Sequence, residues 1–332
     1  MTQTTESRIQ AYLDSIEIKE PARSFSKTVS NIYHGFESEI FDQVHDEITE
    51  TADHWSVVLR RISASLPASA RVLDVGTGTG FAATQVLQSL GSQVGEMVCL
   101  DLSTDMLSKC RAKIQSRLRR SHFVAGDLKS LAGGAGTFDL VVTSAMLHHV
   151  IDVESLLGVI GTLVKPGGFY VAGHEPSYDF YANRALYRWT SVYRAWRRAR
   201  GALSLTTWRR RVAANSRAHR GMTIEERTNE ALVRMRLVRR PLPAGAITQL
   251  VDVHIPPASA DVPFWGEPGF RPADLCQRML GGFDPVFVLT YPHVKEARAR
   301  MGWMWRRIDT MLAQRYPLAG ANFLMAARKP VG

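Results

Sequence analysis

The chain has 332 residues, of which 45% are hydrophobic and 22% charged, ordinary values for a globular protein that exclude wholesale disorder. This length allows one elaborated domain or two small ones. The net charge is +10, and its source is a block between positions 184 and 240 with sixteen arginines, no lysine and three acidic residues. Because the excess of basic over acidic residues is concentrated in this block, nucleic acid is disfavoured as a partner.

The cysteines and the N-terminus indicate the compartment. The three cysteines form no C-x-x-C pair, which predicts free thiols in a reducing environment and neither a disulfide framework nor a zinc site. The first residues are polar and lack a signal-peptide pattern, and no apolar run of about 18 residues occurs. We therefore expect a cytoplasmic protein without a transmembrane segment.

Helices come first along the chain, and an alternation of strands and helices follows. Residues 5–66 carry apolar residues at helical spacing. After Pro67, the predicted strands are Arg71–Val75, Glu96–Leu100, His122–Ala125, Phe138–Thr143 and Phe169–Gly173. The predicted helices between them are Phe81–Leu90, Asp105–Leu118 with Ser103 as N-cap, and Val153–Val164. This order indicates a buried parallel sheet with right-handed crossovers.

The alternation is interrupted between residues 175 and 271. An amphipathic helix, Tyr181–Arg200, and a second basic helix, Ile224–Leu237, are predicted there. The alternation resumes with helix Pro272–Leu280, strand Val286–Leu289, helix Val294–Gln314 and strand Asn322–Ala327. We therefore predict a helical N-terminal cap over 1–66, an α/β core formed by 67–175 and 272–332, and a basic helical insert over 176–271 that serves as a substrate lid.

A glycine-rich turn directly follows the first predicted strand, in Val72-Leu-Asp-Val-Gly-Thr-Gly-Thr-Gly80. Glycines allow the backbone to approach a ligand closely, because a Cβ atom would collide with it. Asp101 follows the second strand, and its carboxylate can accept hydrogen bonds from both hydroxyls of a ribose. These features indicate an adenosine-containing cofactor. The glycines alone also fit the dinucleotide pattern G-x-G-x-x-G/A, so they do not show which adenosine-containing cofactor is bound.

Further residues surround this predicted site. Asp127, after Gly126 at the end of the third strand, can accept a hydrogen bond from the adenine amino group, while a backbone amide faces the ring. Asp74 lies inside the first strand, where it either contacts the cofactor or orients the glycine turn.

At these positions the chain resembles the class I S-adenosylmethionine-dependent methyltransferases. Val72–Gly80 is similar to the glycine motif of that family, Asp101 to its ribose-binding acid and Asp127 to its adenine-contacting acid. Further similar segments are the fourth-strand motif Phe138–Val150, the turn Leu163–Gly168 and the last strand Asn322–Arg328. The resemblance covers about 68–175 and 272–329 and says little about the substrate.

The resemblance implies a Rossmann-like sheet of parallel strands with an antiparallel last strand, a helical N-terminal cap and a large, mainly helical insert after strand five. It also implies S-adenosylmethionine as the cofactor. The cofactor-binding residues expected from the motifs and the resemblance are Tyr33, Asp74, Gly76, Gly78, Gly80, Asp101, Leu102, Met106, Gly126, Asp127, Leu128 and Ser144.

Candidate catalytic and substrate residues follow the fourth and fifth strands. The catalytic candidates are His149, His174 and Tyr178, and the substrate candidates are Glu175 and Tyr181. A base is required only if the acceptor holds its proton at neutral pH. The adjacent histidines of His148-His149 do not easily face one site together, and a structural role is the alternative for each. No H-x-x-x-H pattern occurs, so we predict no metal.

The predicted function is methyl transfer from S-adenosylmethionine to a small-molecule acceptor in secondary metabolism. One alternative is a cyclase or lyase that consumes the cofactor, for example by forming azetidine-2-carboxylate and releasing methylthioadenosine. A second alternative is a non-catalytic cofactor- or RNA-binding protein. The arginine block is the solvated face of a lid, a site for an acidic acceptor or carrier protein, or a membrane-surface contact through Trp189 and Trp196.

Overall fold

The computed structural model describes residues 4–40, 48, 50–131, 135–203, 222–257 and 261–331, and a seven-stranded sheet forms its centre. The strands are β1 (Ala70–Val75), β2 (Val94–Asp101), β3 (Ser121–Ala125), β4 (Phe138–Ser144), β5 (Val164–Pro176), β6 (Asp284–Tyr291) and β7 (Asn322–Arg328). Their order is β3-β2-β1-β4-β5-β7-β6, and β7 alone runs antiparallel to its neighbours. The predicted parallel sheet with an antiparallel last strand is confirmed.

Helices surround the sheet. They are α1 (Thr5–Ser15), α2 (Ala22–Glu37), α3 (Ala52–Ser63), α4 (Phe81–Leu90), α5 (Thr104–Ile114), α6 (Val153–Leu163), α7 (Tyr178–Ala182), α8 (Arg184–Leu203), α9 (Ile224–Arg234), α10 (Ala244–Val251) and α11 (Trp303–Arg315). The predicted N-cap of α5 is confirmed, since Ser103 Oγ accepts the N–H of Met106 at 3.3 Å. Among the residues described above, no helix has both the length and the hydropathy that crossing a membrane requires.

Three predicted helices differ from the structure by more than a few residues at one end. Asn183 divides the predicted helix Tyr181–Arg200, because its Oδ1 accepts the N–H groups of Ala185 and Leu186 and caps α8. The predicted helix Pro272–Leu280 is a short turn, Pro272–Asp274, that continues as a π-helical turn, Leu275–Met279.

The predicted helix Val294–Gln314 begins only at Trp303. Asp309 Oδ1 accepts the N–H groups of His293 and Val294 at 2.7 and 2.8 Å. This carboxylate therefore holds the start of the predicted helix as a loop. The contact joins residues fifteen or sixteen positions apart, so the local pattern does not contain it.

The helical layers do not follow the predicted boundary at residue 66. Helix α3 packs on the sheet, where Trp55, Val58 and Leu59 are fully buried with residues of β1, β5 and β7. Helices α1 and α2 instead form one apolar cluster with α9 and α10, and α8 packs on α11. The cap over the sheet is thus built jointly by α1, α2 and helices of the insert, whereas α3 packs directly on the sheet.

Gly173 in β5 marks how closely α3 approaches the sheet. A Cβ atom there would collide with the indole of Trp55 and would lie 2.7 Å from Leu324 Cδ1. We expect Gly173→Ala to lower the free energy of unfolding by about 1–3 kcal/mol, the usual cost of overpacking a core. Gly158→Ala in α6 is the matched control, because its Cβ would meet open space. Equal stability of the two variants in chemical denaturation would contradict the packing of α3.

Candidate active site

A cavity of about 410 Å³, here called the strand-end cavity, lies where the carboxyl ends of β1, β2 and β4 meet helix α2. Nine of the twelve predicted cofactor residues line it: Gly76, Gly78, Asp101, Leu102, Met106, Gly126, Asp127, Leu128 and Ser144. Helix α2 contributes Lys27, Asn31 and His34 to the opposite wall. The volume of the strand-end cavity is typical of small-molecule sites, which enclose about 300–1,000 Å³.

The glycine turn has the shape that a ligand requires. Gly76 and Gly78 have φ angles of +67° and +54°, a region that favours glycine. A Cβ atom on Gly76 would strike the side chain of Met146, whereas one on Gly78 would meet only open space. Gly78 therefore presents bare backbone to the cavity. Gly80 lies behind the turn, against Cys110.

Asp101 is fixed in the wall of the strand-end cavity by two backbone donors. Its Oδ2 accepts the N–H of Gly78 and its Oδ1 accepts the N–H of Ser103, each at 2.8 Å. Burial raises the pKa of this carboxyl. The side chain joins the glycine turn to the end of β2, and it is placed to accept further hydrogen bonds from a bound diol.

Asp74 supports the turn from below. It is fully buried, and its Oδ2 accepts hydrogen bonds from Thr77 Oγ1 at 2.7 Å and from the N–H of Ala83 at 3.1 Å. Burial raises its pKa to about 7. Since Asp74 does not line the cavity, these contacts favour its orienting role over direct contact.

Two further predicted residues differ in how they are engaged. Ser144 Oγ is buried in the cavity wall without a hydrogen-bond partner among the described residues, so a polar atom there is available to a ligand. The Asp127 carboxylate is half-exposed and forms an ion pair with Lys27 of α2 at 3.0 Å. That side-chain hydrogen bond holds the pKa of Asp127 below its usual range. The acids, the bare glycine backbone and the free hydroxyl together fit an adenosine cofactor.

A second cavity of about 1020 Å³, here called the histidine cavity, adjoins the first. Both cavities are lined by His34, Ile48, Ala145 and His149. The histidine cavity also contains the predicted residues Tyr33, His174 and Tyr181, together with His148. Tyr33 thus faces the second cavity, although we predicted it as a cofactor contact. A cofactor in the first cavity and an acceptor in the second would meet at the shared wall.

His148 and Glu175 form a buried pair at the edge of this wall. The Nδ1 atom of His148 lies 2.8 Å from Glu175 Oε2. The other oxygen, Oε1, accepts the N–H groups of Met146 and Leu147 at 2.8 Å. Burial raises the pKa of Glu175 to about 7 and lowers that of His148 well below 6.5. The imidazole is therefore neutral at pH 7, and its Nδ1 is already engaged.

A β-bulge at His174 directs the side chains of His174 and Glu175 into different surroundings. The pairing of β5 with β7 shifts register between Gly173 and Glu175, and His174 has a φ of +56°, which is rare outside glycine. His174 consequently lines the histidine cavity, with its Nε2 3.4 Å from Asn322 Nδ2. Glu175 is fully buried and lines neither cavity.

His149 is engaged differently from His148. Its Nδ1 lies 3.0 Å from the carbonyl oxygen of Val251 and 3.3 Å from Asp252 Oδ1. Burial alone would lower the pKa of His149, but the hydrogen bond and charge of Asp252, together with the hydrogen bond to Val251, outweigh it and raise the pKa. His148, His149 and Asp252 each offer a ligand atom within 4.8 Å of the others, so these residues could hold a metal ion. Both Nδ1 atoms already have partners.

The structure does not bring every candidate to the site. Tyr178 lines neither cavity, and its ring packs against the guanidinium of Arg271 at 3.9 Å. Sequence reasoning also missed His34, Asp252 and Lys295, which line the histidine cavity. None of the three stands in a motif, and each lies on a different segment, so packing alone reveals them.

The strand order, the glycine turn and the acid after β2 define a Rossmann-like methyltransferase fold. The methyltransferase-domain family matches residues 72–168. Over this segment the chain is similar to the class I S-adenosylmethionine-dependent methyltransferases, and S-adenosylmethionine is the cofactor of that class.

Known proteins are similar to parts of this chain. A ubiquinone biosynthesis O-methyltransferase from Xanthomonas axonopodis is 36% identical over 114 residues, which are 34% of this chain and 46% of that protein. The polyketide synthase component of the compactin nonaketide synthase from Penicillium citrinum is 31% identical over 128 residues, 36% of this chain and 4% of that protein. The chain thus spans less than half the length of these relatives.

A solved S-adenosylmethionine-dependent methyltransferase from Mesorhizobium loti aligns over 80% of this chain and 94% of its own, at 18% identity and a TM-score of 0.41.

Proposed function

We propose that the protein transfers a methyl group from S-adenosylmethionine to a small-molecule acceptor, with His148 as the general base. The observation that carries this proposal is His148, which lines the second of two adjoining cavities and is held at Nδ1 by the buried Glu175. The cofactor would occupy the strand-end cavity and the acceptor the histidine cavity. The methyl group would then pass at the wall that the two cavities share.

The residues of the strand-end cavity would bind and orient the cofactor. Asp101 would accept hydrogen bonds from the ribose hydroxyls, and Gly78 would leave room for the ligand beside the turn. Asp127 would accept the adenine amino group, and Ser144 Oγ would meet the amino-acid portion. When bound, S-adenosylmethionine supplies an activated methyl group whose carbon–sulfur bond breaks with the electron pair kept by sulfur.

His148 would hold the proton that the acceptor releases. The Glu175 carboxylate fixes Nδ1–H, which leaves Nε2 as the basic nitrogen. As the acceptor oxygen, nitrogen or carbon gains the methyl group, its proton passes to Nε2. Because burial keeps the imidazole neutral at pH 7, Nε2 is ready to receive it. Glu175 acts through His148, so it is a positioning residue rather than a substrate contact as first predicted.

Secondary metabolism is the setting that the comparisons support. Part of the chain is similar to a segment of a polyketide synthase, and the histidine cavity, at about 1020 Å³, has room for an acceptor larger than a simple phenol. The ubiquinone O-methyltransferase relative supports an oxygen acceptor. His34 and His149 in the shared wall would guide the acceptor toward the methyl group.

The first test is to incubate the protein with S-adenosylmethionine alone and then with a panel of phenols and small acids, and to analyse products by mass spectrometry. We expect S-adenosylhomocysteine and a methylated product only when an acceptor is present. A heat-inactivated sample is the control. Methylthioadenosine formed without any acceptor would overturn the proposal in favour of the cyclase or lyase alternative.

A further inference from the structure

A third cavity opens from the histidine cavity at the side of the insert. It has a volume of about 400 Å³ and is lined by residues of α7, α8 and α10 and by Lys295. Tyr181, Asp252, Ile255 and Lys295 line both cavities, so the two spaces adjoin each other. We call this space the lysine recess.

Lys295 is held in the recess by an aromatic neighbour. Its Nζ donates a short hydrogen bond to Tyr181 Oη. Burial, together with the charge of Arg194, lowers the pKa of the Lys295 ammonium to about 8. Arg194 extends from α8 and lines the recess as well. Two cationic groups therefore face one partly enclosed space.

The acids around the recess already have other side-chain partners. Asp252 pairs with His149 at 3.3 Å. Glu296, next along the chain from Lys295, pairs with Arg197 and Arg300. Within the described part of the chain, neither Lys295 nor Arg194 has a carboxylate oxygen within 4.0 Å. The recess thus holds positive charge that a bound anion would neutralise, and leaving such a charge unpaired is costly.

We propose that the lysine recess binds an anionic group of the acceptor, a carboxylate or a phosphate, through Lys295, Arg194 and Tyr181. The inference rests on the proposed methyl transfer, because it places the acceptor across both cavities. The anionic end would lie in the recess while the reactive end reaches His148 in the histidine cavity. Arg supplies a planar fork and Lys a point charge, which suits either anion. The substrate class is therefore an acidic small molecule.

The test compares three small aromatic ligands by calorimetry in the presence of S-adenosylhomocysteine. Benzoate carries a carboxylate, phenyl phosphate carries a phosphate, and benzamide is the neutral match. We expect one of the anions to bind about 10- to 100-fold more tightly than benzamide, as charged hydrogen bonds imply. The stronger of the two identifies the anionic group. Failure of both anions to exceed benzamide would overturn the proposal.

Substitutions assign the effect to the recess. Lys295→Met should abolish the preference for the anion, whereas Lys295→Arg should retain most of it because the charge remains. Lys19→Met is the control, because Lys19 is exposed and lines none of the three cavities. An unchanged preference in Lys295→Met would refute the assignment. These are binding measurements, so loss of the proposed methyl transfer would not mimic either outcome.

Discussion

Replacing Asp101 with asparagine is expected to weaken S-adenosylmethionine binding about 100-fold or more. Two charge-assisted hydrogen bonds to the ribose would be lost or weakened, each worth about 1.5–3 kcal/mol. The amide would also place an N–H donor against the N–H of Gly78 or Ser103, which the carboxylate accepts in the native protein. Isothermal titration with S-adenosylmethionine and S-adenosylhomocysteine measures the effect.

A matched control separates this effect from a general loss of charge. Glu154→Gln removes an exposed carboxylate from the first turn of α6 that lines neither cavity, and this variant should bind the cofactor normally. Thermal unfolding of both variants checks that they fold. A threefold change or less for Asp101→Asn would remove Asp101 from the site. Because burial raises its pKa, cofactor affinity should decline on acidification at a higher pH than an exposed aspartate would dictate.

The core of the fold could be predicted because its signals are local. Helix Phe81–Leu90 has the predicted bounds, and Ser103 caps α5 as its position indicates. The glycine turn, Asp101 and Gly126 follow strands whose carboxyl ends meet at one edge of a parallel sheet. Placing the strands in order was therefore sufficient to bring most cofactor residues together.

The histidine cavity could not be assembled in this way. His34 comes from α2, Asp252 from the segment after α10 and Lys295 from the loop before α11. Their meeting depends on how the N-terminal helices pack with the insert, which involves contacts over more than 200 positions, such as Ser26 Oγ to the carbonyl of Leu250. The spacing of apolar residues along the chain does not predict contacts between segments so far apart, so the sequence could not show which residues face the acceptor.

The site roles of His174 and Glu175 could be predicted only in part. Their position after strand five indicated a site, but it did not assign their roles. The bulge at His174 decides this, because it directs His174 to the cavity and leaves Glu175 beneath the turn at 146–148. A positive φ at a residue other than glycine has no sequence signature, although such strained positions often cluster at functional sites.

His148→Gln is expected to lower turnover about 100- to 10,000-fold, the usual contribution of a general base, while cofactor affinity stays unchanged. Glutamine can still donate a hydrogen bond to Glu175, but it has no basic nitrogen for the proton of the acceptor. His149→Gln is the matched variant, since its side chain is adjacent but bound to Val251 and Asp252. It should reduce turnover about tenfold or less. If His149→Gln reduced turnover more than His148→Gln, the role of base would pass to His149, one of our three original catalytic candidates.

The pH dependence of turnover tests the same pair independently. Glu175 must be ionised to hold His148 Nδ1–H, and burial raises its pKa to about 7. Turnover should therefore fall as the pH drops through about 7, rather than near 4.5 as for an ordinary glutamate. Saturating substrate isolates this limb from cofactor binding. A profile that is flat down to pH 5 would show that the pair does not control the proton.

The free energy of unfolding should change with pH in the direction opposite to turnover. The folded protein binds the Glu175 proton more tightly than the unfolded chain, so between about pH 4.5 and 7 the native state carries more protons and the free energy of unfolding falls as the pH rises. Asp74, whose pKa burial also raises to about 7, acts in the same sense. The rise in pH that ionises Glu175 for turnover thus lowers the free energy of unfolding, as expected when a buried carboxylate is kept for its effect on an adjacent base.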